Sequence, residues 1–292
     1  MNNIHILNPV AGQGAALKYK SNDSNEIVHI TSGVGDAEKY VSEVCRDNPD
    51  TRFIVYGGDG TLNEVVNGIM NAGANKQARI SIIPVGTGND FNKNFTESGE
   101  YTVDVIKYTG RYSVNIINMG FDCDVVEEMM RLKKLPFIFG SMAYILGVVK
   151  TLFKPIGKLL NVKFIDINNN EFHYNGEFLL AAIANGSFYG GGFNAAPLAS
   201  MTDGLLDVMI INKMSRFKFI SLVGDYRKGT HIDHETGKPS KRCEKVVDFY
   251  RCKSLEIKNV DKICVDGEIC YESSLDIEVI PQAITFIYEI CQ

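Results

Sequence analysis

A glycine-rich segment near residue 60 constrains the fold of this chain more than any other feature. Residues 52–56 are an apolar strand that runs into GGDGT at residues 57–61 and then into a helical pattern over residues 62–70. Paired glycines allow positive φ and close approach of a ligand to the backbone. We predict that Thr61 begins the helix and that Glu64 completes a capping box. Free N–H groups at such a helix start form an anion site suited to phosphate.

Two further glycine-bearing loops also follow directly after apolar strands. Residues 80–84 read as a strand and are followed by GTGND at residues 86–90, and the strand at residues 4–7 is followed by Asn8 and a glycine-bearing loop. Parallel strands open onto a site at their carboxyl ends, so we expect the loops to meet there. A carboxylate beside phosphates is repelled unless a divalent cation intervenes or it takes a proton. Asp59 is therefore predicted to act through Mg²⁺ or as a general base.

The order of the elements predicts two domains. Strands and helices alternate in the first third, which indicates an α/β, doubly wound parallel sheet. After residue 122 come short strands with turn signals, typical of a β-sandwich-like domain. We place a nucleotide domain at residues 1–121, a sandwich domain at residues 122–282 and a linker near residues 118–122.

Composition narrows the function classes. The chain of 292 residues is 45% hydrophobic and 22% charged, with a formal net charge of −5, which argues against bulk nucleic-acid binding. The start lacks the pattern of a signal peptide, and the apolar stretch at residues 142–153 is too short to span a bilayer. Seven cysteines without a C-x-x-C motif favour reduced thiols and a cytoplasmic location. Cys264 and Cys270 leave a disulfide or a metal pair as the alternative.

Two other nucleotide motifs are excluded. The P-loop requires Lys and then Ser or Thr after glycine, but the Gly-Lys pairs at residues 157–158 and 237–238 are followed by Leu and Pro. The dinucleotide fingerprint fails at residues 12–17, where Leu17 takes the third small position. The chain therefore matches neither a typical P-loop enzyme nor a typical hydride-transfer enzyme.

Taken together, these motifs resemble the bacterial soluble diacylglycerol kinase and lipid kinase family, which is related to sphingosine and ceramide kinases. The resemblance covers most of the chain. Its motifs are GGDGT with NE at residues 57–64, GTGNDF at 86–91, NxGFD at 118–122, NG at 185–186, GGG at 190–192, DGLLD at 203–207 and DGE at 266–268. GGDGT alone is less specific, since nicotinamide-dinucleotide kinases and phosphofructokinases share it.

The resemblance implies an α/β nucleotide domain and a β-sandwich domain, with ATP and Mg²⁺ in the cleft between them. It also implies that the last strand, within residues 283–292, returns to the first domain. By position, Asp59 would act on the phosphates through Mg²⁺. The nucleotide site would be lined by Asn8, Thr31, Gly58, Asp59, Gly60, Thr61, Glu64, Gly86, Thr87, Gly88 and Asn89.

The family pattern also implies a base and metal positions. Glu268 would take the proton of the lipid hydroxyl, although DGE at residues 266–268 can equally be a hairpin turn. Asp90 and Asp104 match acidic positions of a water-bridged metal network. A structural Mg²⁺ loop would use Asp203, Asp207 and the carbonyl of Leu205. The chain departs from the family at Ala11, where Ser or Thr is common, so that side chain lacks a phosphate contact.

We therefore predict a cytoplasmic lipid kinase, peripheral to the membrane, that transfers the γ-phosphate of ATP to a lipid hydroxyl, with diacylglycerol giving phosphatidic acid. Basic residues outnumber acidic ones over residues 213–245, which favours contact with an anionic surface. Family members often dimerise, so a homodimer stays open. The alternatives are an enzyme like a nicotinamide-dinucleotide kinase and a lipid- or nucleotide-binding regulator without turnover.

Overall fold

The protein was analysed as a computed structural model, which describes residues 2–18, 26–86, 88–132, 140–155 and 157–289. The first part alternates strands with helices as the sequence predicts. Its elements are β1 (Asn2–Leu7), a 3-10 helix (Ala11–Lys18), β2 (Ile27–Ile30), α1 (Asp36–Asp47), β3 (Thr51–Gly57), α2 (Asp59–Asn71), β4 (Arg79–Pro84), a 3-10 helix (Phe91–Asn94), β5 (Gly99–Tyr108) and β6 (Arg111–Ser113).

The second part contains most of the antiparallel strands. Its elements are β7 (Ile116–Gly120), α3 (Phe121–Leu132), α4 (Gly140–Leu152), β8 (Lys158–Ile165), β9 (Glu171–Ala184), β10 (Phe188–Tyr189), β11 (Phe193–Asn194), β12 (Leu206–Asn212), α5 (Arg216–Lys228), β13 (Val247–Cys252), β14 (Ser254–Lys258), β15 (Ile263–Val265), β16 (Glu268–Cys270) and β17 (Ser274–Tyr288). The chain thus combines an α/β part with a β-sandwich-like part, as the sequence indicates.

The N-terminal sheet has the order β2-β1-β3-β4-β17, and these neighbours are parallel. Successive residues of β3 alternate between buried and partly buried, because the sheet faces the core on one side. Phe53 and Val55 of this strand pack with Leu62 and Val65 of α2 in one buried cluster. This packing fixes the carboxyl ends of β1, β3 and β4, where the three loops of interest begin.

The C-terminal part has two apolar layers. One lies within the sandwich and includes Ile117, Phe164, Ile183 and Val208. The other lies between β9, β12 and the helices α3 and α5, and one of its ring contacts joins Phe121 to Phe219. A sheet buried on both faces explains the almost continuous apolar runs of β12 and of residues 178–184 in β9.

Some sequence expectations about elements were wrong. The sequence pattern predicts two strands, at residues 171–174 and 178–184, but they form one strand, β9, because its first half pairs with β8 and its second half pairs with β7 and β12. The segment expected to be a linker, residues 118–122, is the buried end of β7 and the start of α3. Pro136 predicts a break between two helices, at residues 125–132 and 142–153, but Pro136 itself lies outside the described residues.

β17 joins the two parts. Its first residues pair with β14, and Thr285 and Phe286 pair in parallel with β4. Within the described residues, no helix is long and apolar enough to cross a membrane. The six described cysteines, Cys264 and Cys270 among them, carry free thiols.

Candidate functional site

The loops that follow β3 and β4 touch each other. A Cβ placed on Gly86 would lie 2.6 Å from the Cα of Gly58 and 2.8 Å from Asn89 Oδ1. A real side chain does not fit at that distance, so this backbone contact requires glycine. Asn89 adopts a positive φ of 50° and its Nδ2 donates to Gly86 O at 2.7 Å, which closes the second loop. The adjoining Thr87 lies outside the described residues.

Asp59, the first residue of α2, is held by the second loop. Its Oδ2 accepts from the backbone N–H of Asp90 at 3.0 Å, and its Oδ1 accepts from Phe91 N–H at 3.1 Å. Burial raises the pKa of the Asp59 carboxyl, while the two backbone donors act in the opposite direction. Each oxygen keeps a further lone pair, and the residue lines the cleft.

The start of α2 differs from the predicted capping box. The helix begins at Asp59 with Gly58 as its N-cap, and Gly58 makes no side-chain cap. Thr61 Oγ1 instead accepts from Asn8 Nδ2 at 2.8 Å, which ties the first loop to the helix. Glu64 accepts from the backbone N–H groups of Gly35 and Ala37 at 2.9 and 3.1 Å, so it caps α1. The N–H groups at the start of α2 thus lack a side-chain cap, as an anion site requires.

Asp90 connects the two parts of the molecule. Its Oδ2 accepts from Gly191 N–H at 2.7 Å, and Lys93 donates to its Oδ1. Gly191 belongs to the glycine-rich turn between β10 and β11, so the nucleotide-type loop is anchored to the sandwich part. Thr31, which is buried and donates its N–H to Leu7 O, lines the same cleft.

Glu268 follows a two-residue hairpin turn between β15 and β16, so the hairpin interpretation of this motif is confirmed. A Cβ on Gly60 would lie 3.2 Å from Glu268 Oε1, which places the carboxylate beside the start of α2. Burial and the negative charge of Glu64 raise the pKa of Glu268. This position and this shift suit a base that faces a bound phosphate.

Asp266 fixes the orientation of that hairpin. Its Oδ1 accepts from Ser113 Oγ and Ile116 N–H, and its Oδ2 accepts from Asn63 Nδ2 at 2.8 Å. Burial raises the pKa of Asp266 to about 6. The side chain therefore positions Glu268 against α2.

A cavity of about 830 Å³ joins these groups. Among its described lining residues there is no Lys or Arg, and its carboxylates are Asp59, Glu64, Asp90, Asp122, Asp266 and Glu268. Backbone N–H groups can bind phosphate here, but the acidic side chains would repel a triphosphate. A divalent cation between the two resolves that conflict. The described residues contain no protein-only cluster of three or more His, Cys, Asp or Glu that could hold a metal.

The predicted metal residues outside the loops lie elsewhere. Asp104 is buried and does not line the cleft; its two oxygens accept from Gly204 and Gln282 N–H, each at 2.7 Å. It therefore lies beside the 203–207 turn and away from Asp59, because β5 carries it to the junction with β17.

The 203–207 turn does not fit the predicted structural Mg²⁺. Arg251 donates through Nε and Nη2 to both oxygens of the buried Asp207, at 2.7 and 3.4 Å. Its Nη2 also lies 4.0 Å from Asp203, and Asp203 Oδ1 accepts from Leu205 N–H. The guanidinium thus supplies the positive charge at this turn.

Sequence reasoning did not assign roles to several residues of the site. Asn63 and Ser113 hold Asp266, and Tyr189 donates its hydroxyl hydrogen to Asp122 in the wall of the cleft. Asn63 and Asp122 stand within the motifs singled out above. Ser113 and its contact have no local signal in the sequence.

Comparison with sequence families divides the chain in two. Residues 4–117 match the family described as "Diacylglycerol kinase catalytic domain". Residues 115–288 match "YegS C-terminal NAD kinase beta sandwich-like domain". The two matches together cover nearly all described residues.

Individual proteins give the same picture. The chain is 32% identical over 286 residues to a protein named "Putative lipid kinase" from Staphylococcus aureus (strain Mu3), covering 89% of this chain and 85% of that one. A protein from strain JH9 with the same name matches equally well. A crystal structure of a "putative diacylglycerol kinase" from Bacillus anthracis str. Sterne has a TM-score of 0.73 at 22% identity, covering 99% of this chain and 97% of that one. At this identity the structure establishes a shared fold.

Proposed function

The chain belongs to the family of lipid kinases that join a diacylglycerol kinase catalytic domain to a YegS-type sandwich domain, and on that premise we propose that it transfers the γ-phosphate of ATP to the hydroxyl of diacylglycerol. The observation that carries the proposal is the contact between the two glycine loops, with Asp59 and Glu268 in one cleft. The backbone N–H groups of the loops and of α2 would bind the triphosphate.

The chemical step is a phosphoryl transfer to an alcohol. The lipid hydroxyl oxygen forms a bond to the γ-phosphorus, and the bond from that phosphorus to the bridging oxygen of ADP breaks. The hydroxyl proton passes to a carboxylate oxygen of Glu268, whose raised pKa suits proton transfer near neutral pH. Asp266 keeps this carboxylate at the start of α2.

The donor set of the cleft suits Mg²⁺. Asp59, with one free lone pair on each oxygen, would hold the cation, and Asp90 would support it through water. When bound, the ion would neutralise charge on the phosphates. Asn8, Thr31, Thr61 and the glycines at residues 58, 60, 86 and 88 would then surround the nucleotide, with Asn89 keeping the second loop closed. Glu64 would act indirectly by fixing α1.

A radiolabel assay tests the proposal. Purified protein is given ATP labelled at the γ-phosphate, Mg²⁺ and either dioleoylglycerol or NAD⁺, and products are separated by chromatography. We expect labelled phosphatidic acid, and Asp59→Asn should reduce its rate by about 10³-fold because a charge contact at the phosphates is lost. The exposed Asp47→Asn in α1 is the matched control and should retain full activity. Phosphorylation of NAD⁺ alone, binding of ATP without any product, or full activity of Asp59→Asn would contradict the proposal.

A kinase of this type must reach its acceptor at a membrane, and the structure contains a surface suited to that contact. Phe153 and Phe217 are 83% and 87% exposed. Arg216, which precedes Phe217, connects the two segments that carry these rings. Its guanidinium donates to the carbonyls of Leu152 and Lys154, on either side of Phe153, at 2.5 and 3.0 Å. We call these four residues the aromatic–basic patch: Phe153, Lys154, Arg216 and Phe217. Exposed rings beside cations are suited to an anionic lipid surface.

Vesicle sedimentation tests this part of the proposal. The protein should bind vesicles of phosphatidylglycerol and phosphatidylcholine more than vesicles of phosphatidylcholine alone, since each basic residue contributes about 1 kcal/mol. The double variant Phe153→Ser/Phe217→Ser should bind at least about tenfold less, because two apolar rings no longer enter the bilayer. Ile167→Ser, which changes an exposed apolar residue at the β8–β9 turn, is the control. Equal binding by all three proteins would contradict the assignment of this surface.

A further inference from the structure

The cleft has a polar end and an apolar end. The glycine loops and Asp59 form the polar end. The apolar end is lined by Val125, Val126 and Met129 of α3, together with Ile116 and Cys264. If a nucleotide occupies the polar end, as the proposed function requires, the apolar end is left for the hydrocarbon part of the acceptor. The headgroup of that acceptor must then lie where the two ends meet.

Asp122 and Tyr189 lie in the wall of this cleft. Asp122 is the second residue of α3, just ahead of the apolar residues, and Tyr189 precedes the glycine turn whose Gly191 N–H donates to Asp90. The Tyr189 hydroxyl donates to Asp122 Oδ2, and Asn118 Nδ2 donates weakly to the same oxygen at 3.4 Å. Tyr189 thereby adjoins the polar end of the cleft through the glycine turn, and Asp122 adjoins the apolar end through α3.

The second oxygen of Asp122 differs from the carboxylate oxygens of Asp59, Asp90 and Asp266. Asp59, Asp90 and Asp266 each accept at least one backbone N–H, and hydrogen bonds reach both oxygens of each. Within the described part of the chain, no hydrogen bond reaches Asp122 Oδ1 and no Lys or Arg lines the cleft beside it. Burial raises the pKa of Asp122 to about 6, which reflects the cost of a carboxylate without such partners.

An ionised carboxylate only accepts hydrogen bonds, so Asp122 Oδ1 calls for a donor on the ligand. Diacylglycerol has one hydroxyl, which reacts, and its ester groups only accept. A 1-monoacylglycerol has a second hydroxyl on the neighbouring carbon. We propose that Asp122, positioned by Tyr189, binds a second hydrogen-bond donor of the acceptor headgroup, so that the enzyme also phosphorylates monoacylglycerols and prefers them to diacylglycerols. This inference rests on the proposed function for its catalytic step.

The preference is tested by comparing two acceptors with the same acyl chain. For the wild-type protein, kcat/KM should be about tenfold or more higher for monooleoylglycerol than for dioleoylglycerol, since a site built for a donor rejects an analogue without one. Asp122→Asn exchanges one oxygen for an amide donor that suits an ester carbonyl, so the ratio should fall towards one or below. The KM for ATP should stay unchanged, because no hydrogen bond of Asp122 within the described residues reaches the glycine loops. An unchanged ratio in Asp122→Asn would overturn the inference.

Two further measurements separate a folding defect and a failure of the proposed function from a failure of the inference. Tyr189→Phe keeps Asp122 and removes only its hydroxyl partner, so the KM for monooleoylglycerol should rise several-fold while the melting temperature stays near that of the wild type. Monooleoylglycerol should also displace a fluorescent acyl probe from Glu268→Gln protein, and less well when Asp122→Asn is added. If the wild type turned over no lipid, the proposed function would fail, and this binding difference would still decide the inference; equal displacement would refute it.

Discussion

The cleft and the 203–207 turn are both acidic, yet they balance their charge differently. In the turn, the buried Asp207 has its own counterion, Arg251, which is bound through two nitrogens. In the cleft, none of the described lining residues is a Lys or Arg, and among its described carboxylates only Asp90 forms an ion pair, with Lys93. A buried carboxylate is costly unless it is paired, so the unpaired carboxylates of the cleft are suited to a cation that arrives with a ligand. The comparison distinguishes a ligand site from a structural contact.

Among the variants that test this comparison, Glu268→Gln should have the largest effect. It should slow catalysis and leave the 203–207 turn unchanged. We expect kcat to fall by about 10²–10³-fold, because the amide cannot accept the hydroxyl proton, while the KM for ATP stays constant. Rates at saturating ATP measure this. Glu272→Gln, which replaces a carboxylate outside the cleft, should behave like the wild type. Equal activity of both variants would remove Glu268 from the proposed mechanism.

Glu268→Gln also tests how the kinase activity depends on pH. Glu268 acts as a base only when ionised, so activity should rise as pH increases through its pKa. Burial and Glu64 raise that pKa, and the rising limb should therefore lie above the ordinary range of a glutamate. The limb should be absent in Glu268→Gln. A limb that persists unchanged would belong to another group.

Gly86→Ala should weaken nucleotide binding. Its Cβ would lie 2.6 Å from the Cα of Gly58, so the two loops must separate. We expect the KM for ATP to increase by about tenfold or more, since a misplacement of about 1 Å can cost that much. Gly224→Ala in α5, where nothing lies within 4 Å, is the control and should leave KM unchanged. An ATP affinity in Gly86→Ala equal to that of the control would contradict the loop contact.

Arg251→Met should affect stability and have the smallest effect on activity. Losing the partner of Asp207 should lower the free energy of unfolding by about 2 kcal/mol, discounted because Arg251 is partly exposed. Denaturant unfolding measures this, and Arg242→Met, which breaks a more exposed pair with Asp225, should cost less. Mg²⁺ without nucleotide should not stabilise the wild type. If Mg²⁺ stabilised the wild type in a way that depended on Asp207, a metal would bind at this turn. The contrast between the turn and the cleft would then be wrong.

The parts of the site that lie close together in the sequence were predictable. The strand, the glycines and Asp59 follow one another within residues 52–61, so their periodicity and residue types specify a phosphate-type loop. The capping box was wrong although its spacing was right. Glu64 accepts from backbone N–H groups at the start of α1 instead of capping its own helix. These donors come within reach only when the two helices pack together.

Contacts between distant residues were not predictable in the same way. Arg251 lies 44 residues from Asp207, and Tyr189 lies 67 residues from Asp122, so no local pattern relates either pair. The metal expected at residues 203–207 was implied by the resemblance to the lipid kinase family. The cation that neutralises it comes from β13, which pairs with β12 in the sheet.

The sequence by itself determined the α/β alternation, the glycine loops and the acidic residues, because periodicity and residue chemistry act over a few neighbours. Only the tertiary structure decided which carboxylates have a counterion, which helix Glu64 caps and which oxygen of Asp122 lacks a partner. Those outcomes depend on strand pairing and burial between residues far apart in the chain, where the cost of an unpaired charge is set.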